Sequence, residues 1–168
     1  DAYRNMAIQF EKRQVEKVYH AVVDGLHEIE DIQVDAPLRI TSRGKVVVDF
    51  NDGKPSSTKI KTARLYKKHT LIYCKPITGR MHQIRVHAQY IKAPLGCDDV
   101  YGGKPVLLSK IKKNFNLKKD TDERPIIQRV ALHAAEISFT DMSGKLVTFE
   151  APYPKDFRVL LTQLEKNS

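Results

Sequence analysis

The side chains best suited to chemistry stand in one short segment, Gly79-Arg80-Met81-His82-Gln83-Ile84-Arg85-Val86-His87. It places two arginines, two histidines and a glutamine at the start of a predicted helix, directly after a predicted tight turn. The unpaired backbone N–H groups of a helix N-terminus attract anions. The segment could therefore bind a phosphate, a carboxylate or the edge of a base, or it could be a capped helix with exposed polar side chains.

Other reactive side chains are scattered along the chain. His82, His87, His133, Asp98 and Asp99 could supply metal ligands, but His82 and His87 are five residues apart and do not share a helix face. The chain has no Cys-x-x-Cys or His-x-x-x-His pair, so we expect no metal. For Asp98-Asp99, a turn with solvated carboxylates is a simpler expectation than a pair of catalytic acids. Phosphate-binding and dinucleotide-binding glycine motifs are absent, so we expect no cofactor.

The net charge of +9 is concentrated in the middle of the 168-residue chain. Residues 54–119 contain 16 basic and 2 acidic residues, whereas segments 1–53 and 120–168 are slightly acidic. Clustered Lys and Arg displace counterions from phosphates, which favours a nucleic acid as the partner. A membrane is disfavoured, because the lysine-rich run 110–119 has few apolar residues. Charge alone does not distinguish RNA from DNA.

The remaining composition indicates one reduced, globular domain that comprises residues 1–168. Cys74 and Cys97 are too few for a disulfide framework, so we expect two small core residues in a cytoplasmic protein. The N-terminus has neither a secretory signal nor an initiator Met, which we interpret as a start inside a longer protein.

The hydrophobic pattern predicts an α+β fold with a mixed, mostly antiparallel β-sheet and a few helices. Helices are expected at residues 3–10, 82–93 and after Pro154, and strands at 15–23, 46–50, 58–66, 69–75, 132–140 and 145–149. Residues 103–129 show little periodicity, and we interpret them as a long surface excursion.

One predicted strand, residues 58–66, has a basic face. Its residues alternate between Thr and Ile on one side and Lys59 and Lys61 on the other. Because side chains alternate across a strand, both lysines should point away from the core.

Five segments carry a family resemblance. They are Lys-Val-Tyr-His-Ala-Val-Val-Asp-Gly at 17–25, the segment 79–87, Pro-Leu-Gly-Cys-Asp-Asp-Val-Tyr-Gly at 94–102, Leu-His-Ala at 132–134 and Phe-Glu-Ala-Pro at 149–152. In this order they resemble the RluA-like family of RNA pseudouridine synthases over nearly the whole chain.

The resemblance implies an RNA-binding cleft across the middle of the sheet and a reaction without cofactor or metal. Uridine is flipped out of the RNA, because its reacting ring atoms are inaccessible in a stacked helix. The N1–C1′ bond breaks, the base turns, and C5 joins C1′. A carboxylate near C1′ suits this chemistry, as it does in glycosidases.

The resemblance also implies roles for individual residues. Tyr19 matches the tyrosine that stacks on the target base, and Arg85 matches the arginine that ion-pairs with the catalytic aspartate. We expect both side chains to face one cleft. RNA contacts are expected from four further residues, Arg80, His82, Gln83 and Leu132, of which Leu132 corresponds to an apolar floor.

The sequence departs from the family pattern at the catalytic acid. The family aspartate lies in an Arg-Leu-Asp element upstream of the Lys-x-Tyr strand, and no Arg-Leu-Asp occurs here. Asp1 is too close to Tyr19 to be its equivalent. We therefore expect this chain to be most of a catalytic domain without its aspartate, and to be inactive alone. The sequence also differs from the residues usual in the family at Met81, Lys92-Ala93 and Cys97.

Ribosomal RNA is the expected partner, with transfer RNA as the second candidate, and we expect a monomer that does not bind membranes. A non-catalytic RNA-binding module is the main alternative. A metal-dependent nuclease is the weakest alternative.

Overall fold

A six-stranded antiparallel sheet runs through the protein, whose computed structural model describes residues 1–119 and 121–168. The strands are β1 (Glu16–Asp24), β2 (Ile32–Asp35), β3 (Leu38–Ile40), β4 (Val46–Val48), β5 (Ser57–Leu65), β6 (His69–Pro76), β7 (Leu132–Thr140) and β8 (Leu146–Glu150). The sheet order is β2-β5-β6-β1-β7-β8, with every neighbouring pair antiparallel. Strands β3 and β4 form a separate antiparallel ribbon.

The helices are α1 (Ala2–Glu11), α2 (Gln83–Tyr90), α3 (Leu108–Ile111) and α4 (Lys155–Lys166), and a short 3-10 turn covers Asp99–Tyr101. Helix α4 shows why the sequence folds this way. Pro154 precedes its first turn, and Phe157, Leu160 and Leu164 are buried along one stripe. The α+β class and the mostly antiparallel sheet predicted from the sequence are confirmed.

The side chains of β1 alternate between the two faces of the sheet, and each face packs against a different core. Ala21 and Val23 belong to the core on the side where α2 packs, which we call the front face. Val22 points the other way and belongs to the core beneath α4, on the back face. Because successive side chains of a strand point to opposite sides, Tyr19 faces front, whereas Val18 and His20 face back.

The segment 103–129 differs from its prediction. It contains α3, and Val106, Ile111 and Ile127 are buried in the core beneath α4. The prediction of a surface excursion was therefore wrong for these three buried residues. They are too widely spaced in the sequence to give a periodic pattern. Residue 120 of this segment lies outside the described residues.

The two cysteines have different environments. Cys74 is fully buried in the front core, as predicted, and burial raises the pKa of its thiol to about 12. Cys97 is half-buried, and its Sγ lies 3.3 Å from the carbonyl oxygen of Ile127.

Among the described residues, no helix has both the length and the hydropathy needed to cross a bilayer.

Gly103 lies in the loop that follows α2, where the surrounding backbone leaves no room for a side chain. A Cβ at Gly103 would lie 1.8 Å from the carbonyl oxygen of Leu95, and the Gly103 N–H donates to the Asp98 carbonyl at 2.7 Å. A Cβ at Gly79 would approach only the Lys17 Nζ, at 3.6 Å.

We therefore predict that Gly103→Ala lowers the free energy of unfolding by about 1–3 kcal/mol, because the backbone must shift to admit the methyl group. Gly79→Ala, the matched control, should change it by less than about 0.5 kcal/mol. Urea denaturation measures both, and equal losses would contradict this account of the loop.

Candidate active site

A cavity of about 350 Å³ opens on the front face between β1, the end of β6 and the start of α2. All six site residues predicted from the sequence line it, namely Tyr19, Arg80, His82, Gln83, Arg85 and Leu132. Lys17 lines it too, and the sequence analysis did not select that side chain as a site residue. The sheet brings together residues more than 100 positions apart, because β1 pairs with both β6 and β7.

Tyr19 and Leu132 enter the cavity from neighbouring strands. The register between β1 and β7 shifts between Val18 and Tyr19, so the pairing is irregular where Tyr19 stands. Such irregularities re-aim side chains near sites. His82 caps α2 in a left-handed conformation, with φ 53°, and its Nδ1 lies 2.8 Å from the Tyr101 hydroxyl.

Arg85 forms a two-pronged ion pair with Asp98. Its Nε donates to Oδ2 and its Nη2 donates to Oδ1, both at 2.7 Å. The Asp98 side chain is fully buried, and the guanidinium carbon lies 4.8 Å from the centre of the Tyr101 ring. The bonds to Asp98 raise the pKa of Arg85 above its usual range. A planar fork bound at two points has little freedom, so the pair fixes the direction in which Arg85 points.

This pair corrects the expectation of a solvated Asp98-Asp99 turn. Asp98 is buried against Arg85 and also accepts a hydrogen bond from the Tyr101 N–H, at 3.4 Å. Asp99 is exposed, so the two carboxylates do not share an environment. Sequence spacing places both acids in one turn, but only the fold decides which of them reaches α2.

Gln83 is almost fully buried, and its amide group is bonded at both ends. Its Oε1 accepts from the Thr78 hydroxyl at 2.6 Å and from the Arg80 N–H at 3.0 Å. Its Nε2 donates to the Ser57 carbonyl at 2.8 Å and to the Thr58 hydroxyl at 2.9 Å. These bonds favour a structural role for Gln83 over direct contact with RNA, because they occupy both of its polar atoms.

His87 continues this chain of hydrogen bonds behind the cavity. Its Nε2 lies 2.9 Å from the Ala36 carbonyl, which can only accept, so Nε2 carries the proton. Its Nδ1 then accepts from the Thr58 hydroxyl at 2.8 Å. Burial lowers the pKa of His87, which keeps the ring neutral. Gln83, Thr58 and His87 therefore form a directed chain that joins α2 to β5 and to the segment after β2.

The histidines considered as metal ligands occupy separate places. His87 is bonded to Ala36 and Thr58, His82 lines the cavity, and His133 Nε2 lies 2.9 Å from the Ala151 carbonyl. Within the described ranges, no three His, Cys, Asp or Glu side chains come together as a candidate metal site.

Removing the carboxylate charge of Asp98 should destabilise the protein. We predict that Asp98→Asn lowers the free energy of unfolding by about 3 kcal/mol, because it leaves a largely buried guanidinium without its counter-ion. Asp99→Asn makes the same chemical change one residue away on an exposed side chain and should cost less than about 0.5 kcal/mol. Denaturant titration compares the two, and similar losses would show that the pair is unimportant for stability.

His87 should make the stability depend on pH. An unfolded His87 binds a proton at about pH 6.5, whereas the folded one resists protonation, so the stability it contributes is complete above that pH and is lost as the pH falls below it. We predict that His87→Leu lowers the free energy of unfolding by about 2–4 kcal/mol at pH 7, since Thr58 and Ala36 lose their partner.

The same variant should also lose stability less steeply between pH 7 and pH 5. Part of the slope should remain, because burial lowers the pKa of His20 and His69 as well. Thermal or urea unfolding across this pH range provides the measurement. An unchanged slope in His87→Leu would contradict the neutral, buried assignment.

In sequence, the chain is similar to RNA pseudouridine synthases. The sequence profile described as RNA pseudouridylate synthase matches residues 1–90. The ribosomal large subunit pseudouridine synthase C of Vibrio cholerae serotype O1 is 33% identical over 166 residues, which cover 98% of this chain and 49% of that protein. The synthase D of Neisseria meningitidis serogroup B is 34% identical over 165 residues, covering 97% of this chain and 42% of that protein.

The chain belongs to the RluA-like family of RNA pseudouridine synthases. It spans about half the length of the curated relatives it matches.

Two solved structures are similar to this chain in fold. Human RNA Pseudouridylate Synthase Domain Containing 4 has a TM-score of 0.73 at 20% identity, covering 96% of this chain and 67% of that one. Human RNA Pseudouridylate Synthase Domain Containing 1 has a TM-score of 0.66 at 24% identity, covering 90% of this chain and 60% of that one.

Proposed function

We propose that this chain is most of the catalytic domain of an enzyme that isomerises uridine to pseudouridine in RNA. The observation that carries the proposal is that Tyr19 and an Arg85 held rigid by Asp98 line the same cavity. The relatives named above modify the ribosomal large subunit, which favours ribosomal RNA as the substrate, with transfer RNA as the second candidate. A monomer and a reduced, cytoplasmic setting remain predictions.

In the proposed reaction, the flipped uracil stacks on the ring of Tyr19, above the apolar side chain of Leu132. Stacking on an aromatic ring is worth about 1–3 kcal/mol and helps to offset the cost of unstacking the base. The N1–C1′ bond breaks, the base turns, and a bond forms between C5 and C1′. The hydrogen on C5 leaves as a proton and N1 gains one, so the product is an isomer of the substrate.

Asp98 is poorly placed to react with the sugar, because it is buried and both of its oxygens accept from Arg85. Two of the three guanidinium nitrogens of Arg85 bond to Asp98, and Nη1 bonds to no acceptor in the described part of the chain. We place the reacting carboxylate in an Arg-Leu-Asp element outside residues 1–168, paired with Nη1. Asp98 would then hold Arg85 from behind.

The test compares residues 1–168 with the same chain extended by the upstream residues of its gene. Incubation with ribosomal and transfer RNA transcripts, followed by detection of pseudouridine, should show product only with the extended chain. Arg85→Lys in that protein should slow turnover by about 100-fold or more, because lysine lacks the fork that binds two carboxylates, while RNA binding persists. Arg43→Lys, on an exposed turn, is the matched control.

Robust turnover by residues 1–168 would assign the reacting acid to this chain and overturn its proposed external source. RNA binding without turnover in the extended protein would instead support a non-catalytic RNA-binding module. Unimpaired turnover of Arg85→Lys would remove Arg85 from the mechanism.

A further inference from the structure

The back face of the sheet carries a second cavity, of about 400 Å³, directly behind the first. Lys59 and Lys61 of β5 and Lys75 of β6 line it, together with Tyr73 and His20. Strand β5 turns Thr58 and Ile60 into the front core, so its alternation directs these two lysines to the back, as the sequence predicts. Helix α4 covers the neighbouring part of this face, and the cavity lies beyond its start, next to Tyr153.

Three lysines form the basic part of this cavity. Lys59 and Lys75 stand directly opposite each other in the β5–β6 register, an arrangement that is unfavourable for like charges without a ligand. No carboxylate in the described ranges lies within 4.0 Å of these three ammonium groups. Asp31 and Glu136 also line the cavity, but Asp31 precedes the edge strand β2 and Glu136 lies on β7, on either side of the strands β5 and β6 that carry the lysines. The centre of the cavity is therefore positive.

Aromatic rings form part of the wall. Tyr73 and His20 stack with ring centres 4.0 Å apart and planes 17° from parallel. Tyr153 holds the stack in place, because its hydroxyl lies 2.5 Å from the His20 Nδ1. Lys61 is the cross-strand partner of Tyr73, so both side chains stand on this face of the sheet. Lysines beside a stacked aromatic pair match a nucleotide, which offers both a phosphate and a flat base.

The two cavities are close enough for one strand of RNA. Residues that are neighbours in the sequence line different cavities. Lys75 and His20 line the back-face cavity, whereas Pro76 and Tyr19 line the front cavity. Arg80 lines the front cavity, and its Nε donates to the carbonyl of Pro55, just before β5, at 3.4 Å. A backbone that leaves the front cavity past Arg80 would reach Lys75 and then Lys59 by passing around the ends of β5 and β6.

We propose that single-stranded RNA flanking the target uridine binds this back-face cavity, with its phosphates on Lys59, Lys61 and Lys75 and a base against Tyr73. The inference rests on the proposed function, since it assumes that the front cavity receives a nucleotide. It assigns part of the basic charge of segment 54–119 to a surface that the reaction itself does not use.

The test measures binding of two single-stranded RNAs, of about 4 and about 16 nucleotides, to residues 1–168. The triple variant Lys59→Ala/Lys61→Ala/Lys75→Ala should weaken binding of the long RNA about tenfold or more at about 0.1 M salt, and should reduce its log–log salt slope by about 2. Binding of the short RNA should be unchanged. Arg43→Ala/Lys145→Ala/Lys166→Ala removes the same charge from exposed sites elsewhere and should leave both affinities close to those of the unaltered chain.

Tyr73 provides an independent readout. Tyr73→Leu should weaken binding of the long RNA by about tenfold, whereas Tyr73→Phe keeps the ring and should retain binding. A 4-thiouridine placed in the flanking sequence should crosslink to peptides that contain Tyr73 or His20. Thermal unfolding verifies that each variant is folded before its affinity is compared.

The outcomes separate the two proposals. If the unaltered chain binds neither RNA, the proposed function fails. If both RNAs bind but the two triple variants weaken the long RNA equally, the back-face site is overturned, because only general charge matters. Crosslinks confined to the front cavity, or Tyr73→Leu binding the long RNA like Tyr73→Phe, would also overturn it and leave the proposed function intact.

Discussion

The buried ion pair between Arg85 and Asp98 is the interaction on which the site depends. It joins the first turns of α2 to the loop after that helix, and the ring of Tyr101 packs against it. A buried carboxylate is costly to desolvate unless a cation matches it closely, and the two-pronged contact supplies that match. The consequence is an arginine that is already oriented before any substrate arrives, which reduces the entropy lost on binding.

A second constraint fixes α2 against the sheet. The bonds from Gln83 to Thr58 and from Thr58 to His87 have only one consistent direction, because the carbonyl of Ala36 can accept but not donate. A buried polar chain of this kind is stable only when every member has its partner. It therefore ties the position of the cavity rim to the protonation state of one histidine.

Much of this protein follows from local sequence patterns. The amphipathic spacing of α4, the alternation of β5 and the turn between β7 and β8 are properties of neighbouring residues, and the structure has the predicted elements at these places. Strands β2 and β3 were not predicted, because four and three residues are too few for an alternating pattern to stand out. The buried residues Val106, Ile111 and Ile127 of segment 103–129 escaped prediction because their spacing follows neither a helix nor a strand period.

Sequence patterns were sufficient to predict the class of fold, the segments that carry the family resemblance and six of the residues that line the front cavity. The burial of Asp98 against Arg85 and the exposure of Asp99 could not be predicted, because they depend on where the loop after α2 closes. The meeting of lysines from two strands across the back of the sheet could not be predicted either. Both outcomes have the same cause, since contacts between segments distant in sequence determine which charges meet.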